Sequence, residues 1–258
     1  MTNTQTERIA VVTGGTTGIG LATARYLLAI GHRVAIFGQN EGHVRNAKED
    51  LAREFDPERL LARTVDLGQP HQITAFFREL EQSWGSPAVL VCNAGISPKG
   101  IDGPSPFAEV DLNEWNSVLS VNLTGAMLCC QAVLPGMVRH GFGRIVFVGS
   151  IAGRTLPRIA GSAYVTSKAA MAGLARSLVW PYGAQGITAN VVAPGRIATA
   201  MAGAIGTPTN QAAIARIPAG RMGVPSEVAA AIGFLACDEA AFINGAILDV
   251  NGGEYAPA

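Results

Sequence analysis

The stretch Arg8-Ile9-Ala10-Val11-Val12-Thr13-Gly14-Gly15-Thr16-Thr17-Gly18-Ile19-Gly20 runs from a short apolar strand, through a glycine-rich loop, into a helical segment reaching Ile30. That order places main-chain N–H groups and a helix N-terminus at the carboxyl end of a strand. Glycine tolerates φ > 0 and lets a ligand approach the main chain closely, while the helix dipole and unpaired amides favour negative charge. The loop, with Gly14, Thr17, Gly18 and Ile19 at its heart, therefore reads as an anion site able to hold a pyrophosphate. A plain glycine-rich turn is the alternative. The spacing is G-x-x-x-G-x-G, not the commoner G-x-G-x-x-G.

Outward from this strand, similar apolar runs recur at Arg33 to Phe37, Leu60 to Val65, Ala88 to Cys92, Arg144 to Val148, Ile187 to Val192 and Ala246 to Val250. They are continuously apolar rather than alternating, as strands covered on both faces are, and helical stretches separate them. The expected fold is α/β: a doubly wound, parallel, seven-stranded sheet with helices on both faces, a Rossmann fold. Helix signals agree. Asp111 and Glu114 have capping-box spacing, Pro70 suits a first helical turn, and Gly31 follows the first helix. Gly195 to Pro208, crowded with Gly, Ala, Thr and Pro, reads as a mobile loop.

Composition sets the outer limits. The chain has 258 residues, 48% apolar and 15% charged, with 19 basic and 19 acidic residues balancing to zero. A single domain spanning 1–258 is expected. Nothing in this balance draws in nucleic acid or an anionic membrane surface. The longest apolar run, Val228 to Cys237, is shorter than the roughly 18 residues that span a bilayer, and Met1 to Arg8 lacks a cleavable secretory pattern. Cys92, Cys129, Cys130 and Cys237 form no CxxC pair and sit in apolar segments. They read as reduced, buried thiols of a cytoplasmic protein.

Where dinucleotide sites of this kind place an acidic residue at the end of the second strand, this chain has Gly38. Without a carboxylate there, a 2′-phosphate is tolerated, and Gln39 and Asn40 can donate neutral hydrogen bonds to it. The reading favours NADP(H) over NAD(H), and a Gly38→Asp change is expected to weaken NADP relative to NAD. Asp66, followed by Leu67, sits either against the adenine or as a solvated loop carboxylate. Asn93-Ala94-Gly95 either approaches the dinucleotide closely or makes a tight turn.

Beyond the fifth strand stands Ser150, and Tyr164-Val165-Thr166-Ser167-Lys168 then opens a helix. Spacing of four puts Tyr164 and Lys168 on one face. A tyrosine is a poor base at neutral pH, but a nearby ammonium favours its phenolate. Such a tyrosine exchanges a proton with the oxygen of a carbonyl or alcohol. Ser150 would hydrogen-bond that oxygen.

Taken in order, these motifs resemble the short-chain dehydrogenase/reductase family in its shorter, single-domain form, over Arg8 to Gly253. The matching residues are Gly14, Gly18 and Gly20; Asn93-Ala94-Gly95; Asn122 in Val121-Asn122-Leu123; Ser150; Tyr164 with Lys168; and Pro194-Gly195 followed by Thr199. The resemblance implies an oxidoreductase exchanging hydride between NADP(H) or NAD(H) and a ketone, aldehyde or alcohol. It assigns Tyr164 as acid/base and has Lys168 lower the tyrosine's pKa and bind the nicotinamide ribose. Ser150 would orient the substrate oxygen, and Asn122 would hold a relay water. The backbone near Ile197 and Thr199 would meet the nicotinamide carboxamide. From the residues alone, Asn122 can equally be a helix-interior amide satisfied by backbone. The resemblance also implies a homotetramer, or a homodimer, built on the helix after Asp111 and the catalytic helix.

Departures accompany the match. Cys92 stands where relatives often carry asparagine, and no arginine lies at Thr17 or Gln39. Pro181 follows Trp180 late in the catalytic helix and should end or kink it. Arg139 is present, but Gln185 replaces the second basic residue of relatives that reduce 3-oxoacyl groups on a carrier protein. A catalytically silent nucleotide-binding sensor or scaffold is the alternative from another class, and longer epimerase-type members fit the length poorly. The absence of charge between Ile197 and Ile214 predicts a neutral or hydrophobic small-molecule substrate.

Overall fold

Strand β1 (Ile9–Thr13) shows how the sequence builds two cores at once. Successive side chains point to opposite faces of a strand, so Val11 joins one buried cluster while Ala10 and Val12 join the other. In the computed structural model, which describes residues 7–100 and 103–257, the same alternation holds along β2 (Arg33–Gly38), β4 (Val89–Cys92) and β5 (Gly143–Val148). Helices α3 (Pro70–Ser83), α5 (Gly125–His140) and α6 (Ser162–Tyr182) cover the first face. The second is covered by α1 (Gly18–Ala29), α2 (Glu41–Ala52) and α8 (Pro225–Ala236).

With β3 (Leu60–Thr64), β6 (Ile187–Pro194) and β7 (Ile247–Val250), the sheet has seven strands in the order β3-β2-β1-β4-β5-β6-β7. Every pairing is parallel. This is the expected Rossmann architecture, with strand ends displaced by no more than two residues. The chain reverses direction of growth between β1 and β4, and ligands of open α/β sheets bind at the carboxyl ends beside such a switch point.

Four local expectations change. Asp111 does occupy the N-cap of α4 (Leu112–Leu119), but its side chain makes no cap hydrogen bond, so the capping box is not formed. The long helix expected after it is interrupted by a π-helical turn, Ser120–Thr124, between α4 and α5. The Gly195 to Pro208 loop is tied down rather than free: Ile197 bridges Gly223, Arg196 donates to Ala202 O and Asn210 Oδ1, and α7 (Pro208–Ile214) closes it. Cys237 is only half-buried, whereas Cys92, Cys129 and Cys130 are buried, and all four are free thiols. Pro181 acts as expected, since α6 ends one residue later.

The helical stretch Leu112–His140 is long and apolar enough to cross a membrane. Its inner face is core: Cys129, Cys130, Val133, Leu134 and Met137 pack on the sheet, and buried Asn122 interrupts its apolar run. The Met1 to Arg8 reading falls largely outside the described residues.

Candidate functional site

At the carboxyl edge of the sheet lies a cavity of about 840 Å³. Of the site and motif residues singled out from the sequence, all but Gly20 and Asn122 line it: Gly14, Thr17, Gly18 and Ile19 from the first loop; Gly38, Gln39 and Asn40 after β2; Asp66 and Leu67 after β3; Asn93, Ala94 and Gly95 after β4; Ser150, Tyr164 and Lys168; and Pro194, Gly195, Ile197 and Thr199 after β6.

The glycine loop is shaped by close approach. A Cβ on Gly14 would lie 2.8 Å from Ala94 Cα, and Gly18 has φ of 53°. Thr17 is the N-cap of α1, yet its side chain makes no cap hydrogen bond. The first-turn amides of α1 therefore lack a side-chain acceptor and face the cavity, as a pyrophosphate site requires. Asn93 clips the loop to β4: its Nδ2 donates to Thr13 O and Gly14 O, both at 3.0 Å. The 93–95 segment is thus both a tight turn and a close approach.

At the other end of this groove, Asn40 caps α2 by accepting a hydrogen bond from His43 N at 2.9 Å. Its Oδ1 is engaged in the cap, a duty the sequence did not reveal, which leaves its amide hydrogens to serve a ligand. Asp66, which lines the cavity, likewise accepts from Gly68 N through Oδ1 at 2.8 Å, so its second oxygen is not used by that bond.

The chemical end is built by α6, the end of β5 and the π turn. Lys168 is buried, and its Nζ donates to Val148 O at 2.7 Å and lies 5.7 Å from the centre of the Tyr164 ring. Asn122, 2% exposed, sits behind the cavity wall. Its Oδ1 accepts from Ile96 N at 2.8 Å, while Nδ2 donates to Ile96 O and Ser167 Oγ, both at 3.0 Å. Gly95 lies between the two, since a Cβ there would be 3.3 Å from both Asn122 Oδ1 and Lys168 Nζ. Asn122 is thus satisfied largely by backbone, but by the β4 loop rather than its own helix.

Charge at this end departs from the sequence expectation. Burial raises the pKa of Tyr164, with the Ser150 hydroxyl and the charge of Arg196 pulling the other way. Lys168 is not the group that opposes the rise. Burial lowers Lys168 itself to about 8, against a weaker upward pull from Cys92. A lysine whose pKa is depressed in the folded state costs stability while it is charged. That cost is full below about pH 8 and is relieved as pH rises toward 10.5, the unfolded value. Urea unfolding of wild type and Lys168→Met should therefore show the wild type gaining on the variant between pH 8 and pH 10; parallel curves would contradict the buried charge.

Sequence reasoning also missed the cations. Arg196, Lys99, Arg158 and Arg216 all line the cavity, together with Glu254 and Tyr255. The uncharged window from Ile197 to Ile214 is real, but Arg196 immediately precedes it and the others arrive from distant segments. The loop window on which the expected neutral or hydrophobic substrate rested is therefore only part of the cavity wall, and the rest of the wall carries charge.

Comparison with known proteins agrees with this geometry. Residues 14–254 match the family model described as enoyl-(acyl carrier protein) reductase. The chain is 40% identical over 250 residues to the cis-4-hydroxycyclohexanecarboxylate dehydrogenase of Sinomonas cyclohexanicum, covering 96% of each. It is 36% identical over 262 residues, 98% of each chain, to the 3-oxoacyl-[acyl-carrier-protein] reductase MabA of Mycobacterium tuberculosis. The solved 3-oxoacyl-[acyl-carrier protein] reductase of Brucella melitensis superposes with a TM-score of 0.91 at 32% identity, covering 97% of this chain and 92% of that one.

Proposed function

The chain belongs to the short-chain dehydrogenase/reductase family, and from that premise we propose that it interconverts a small-molecule ketone and secondary alcohol, with Tyr164 as proton donor and acceptor. It is an NAD(P)-dependent oxidoreductase. The observation that carries the reading is one cavity holding both the uncapped N-terminus of α1 and the Ser150, Tyr164 and Lys168 group. The two named relatives act on a hydroxycyclohexanecarboxylate and on 3-oxoacyl groups, both of which fit alcohol–ketone exchange.

When bound, a nicotinamide dinucleotide supplies or accepts the hydride. The amides of α1 would hold its pyrophosphate, Lys168 its nicotinamide ribose, and Ile197 and Thr199 its carboxamide. In reduction Tyr164 gives its phenolic proton to the carbonyl oxygen; in oxidation it removes the hydroxyl proton. Ser150 donates a hydrogen bond to the same oxygen. Both side-chain hydrogens of Asn122 are spent on Ile96 and Ser167, so a relay water between it and Lys168 would be held at an oxygen of Asn122.

NADP(H) is favoured because Gly38 places no carboxylate at the adenosine ribose. Titration with NADPH and NADH, followed by a carbonyl panel with the preferred one, tests function and cofactor together. Gly38→Asp should shift preference toward NAD by about tenfold or more. A Cβ at Gly38 would lie 2.9 Å from Thr16 Oγ1, so crowding must be separated from charge. Gly38→Asn supplies that control, and an equal shift in both variants would remove the electrostatic explanation. A panel on which no carbonyl or alcohol is turned over would refute the reaction class.

We further propose one domain over 1–258, a cytoplasmic setting fitting the free thiols, and no nucleic acid or membrane partner. Self-association into a tetramer or dimer is supported by the exposed apolar Leu112 on α4 and Trp180 on α6. The 3-oxoacyl thioester reading ranks second: Arg139 is paired with Glu81, and Gln185 is bonded to Pro181 O.

A further inference from the structure

Arg196 leaves β6 directly after Gly195 and projects into the substrate end of the cavity, where its charge acts on Tyr164. Its orientation is fixed from behind. Nε donates to Asn210 Oδ1 at 2.8 Å and Nη2 to Ala202 O at 2.9 Å. Asn210 is fully buried on α7 and spends its own amide on Ala202 O at 3.1 Å and Ala204 O at 2.7 Å. A buried amide is thus committed to aiming one guanidinium, and Nη1 has no hydrogen-bond partner among the described residues.

Charge around Arg196 is unbalanced. Its protein acceptors are neutral, and among the described residues neither it nor Lys99 forms an ion pair. Glu254, the acidic group that acts on Arg196, lies 3.7 Å from Arg216 and is shared with it. Lys99 lines the same cavity as Arg196; burial lowers its pKa, and the charge of Arg196 lowers it further. Arg158 is a further cation lining this cavity. A half-buried guanidinium whose nearest anion is shared with another arginine is left partly uncompensated, and a charge-assisted bond to a carboxylate relieves that cost with directional geometry.

We infer that Arg196, assisted by Lys99 and positioned by Asn210, is a carboxylate-binding subsite, so that the substrate is a small hydroxy- or oxo-carboxylic acid. The inference rests on the proposed alcohol–ketone exchange and adds the substrate's second functional group. The carboxylate takes no part in the proton or hydride steps; it fixes which end of the substrate faces Tyr164. A carrier-bound 3-oxoacyl thioester has no such group, so the subsite also separates the two readings of the activity.

The test uses hydroxycarboxylates, cyclic and linear, each matched with its methyl ester, against wild type, Arg196→Gln, Arg196→Lys and Lys99→Gln. Wild type should prefer the acid. Arg196→Gln should lose about 10- to 100-fold more in kcat/KM on the acid than on the ester, the excess lying mostly in KM, while the loss common to both substrates reads the Arg196 charge on Tyr164. Arg196→Lys should recover part of the loss, and Lys99→Gln should lose less. Cofactor affinity should stay as in wild type. Equal losses on acid and ester, or a loss that follows cofactor binding, would overturn the subsite while leaving the reaction class standing. If neither acid nor ester is turned over, calorimetry with hexanoate and hexanamide in the presence of cofactor still decides: hexanoate must bind more tightly to wild type than to Arg196→Gln, and its failure to do so removes the subsite.

Discussion

Tyr164→Phe should lower carbonyl-dependent cofactor oxidation by about 10²- to 10⁴-fold, the usual contribution of a positioned general acid, while dinucleotide affinity and melting temperature stay near wild type. The expectation follows from what the substitution removes. Phenylalanine keeps the ring on the α6 face and deletes only the oxygen that the Ser150 hydroxyl and the Arg196 charge act upon. Because burial raises the phenol's pKa, Tyr164 holds its proton through the neutral range, which suits reduction and starves oxidation of phenolate. Reduction in the wild type should thus be flat through the neutral range, whereas oxidation should climb with pH across it. A stopped assay of both directions with both proteins reads this directly. Undiminished turnover in the phenylalanine variant would take Tyr164 out of the chemistry.

Why the fold could be read from the sequence, and part of the site could not, has a physical explanation. Buried parallel strands are continuous apolar runs, so β1 to β7 announce themselves locally, and the glycine loop does so because close approach to Ala94 admits no side chain at Gly14. The π turn at 120–124 left no such mark. It contains neither Gly nor Pro, and the Asn122 it carries is tied to Ile96 of the β4 loop, a contact between residues far apart in the chain. Arg196 was equally silent: its direction is set by Asn210, on a helix the loop composition did not suggest. Asn40 looked like a ligand donor because a helix cap and a binding residue use the same amide. Local chemistry was legible; orientation imposed by distant partners was not.

Gly20→Ala should be among the most damaging small changes outside the catalytic residues, and the one that reaches the cofactor loop. Gly20 is buried on α1 with ordinary helical backbone, so its requirement for glycine is one of space, not of φ. A Cβ would sit 2.1 Å from Gly14 O and 2.4 Å from Asn93 Nδ2, contacts no real methyl makes. Alanine gains about 1 kcal/mol of helix propensity over glycine, but overpacking a rigid contact costs about 1–3 kcal/mol or more. The obstacle is backbone, which has no rotamer to yield. Relief requires α1 to move away from the loop, breaking the Asn93 bonds to Thr13 O and Gly14 O. That movement also displaces the first-turn amides that would hold a pyrophosphate. Two readouts should therefore fall together: melting temperature by several degrees, and dinucleotide affinity, measured by fluorescence titration, by at least about tenfold. Destabilisation with unchanged affinity would mean that the loop's closeness to β4 serves packing alone, and that the anion is held elsewhere.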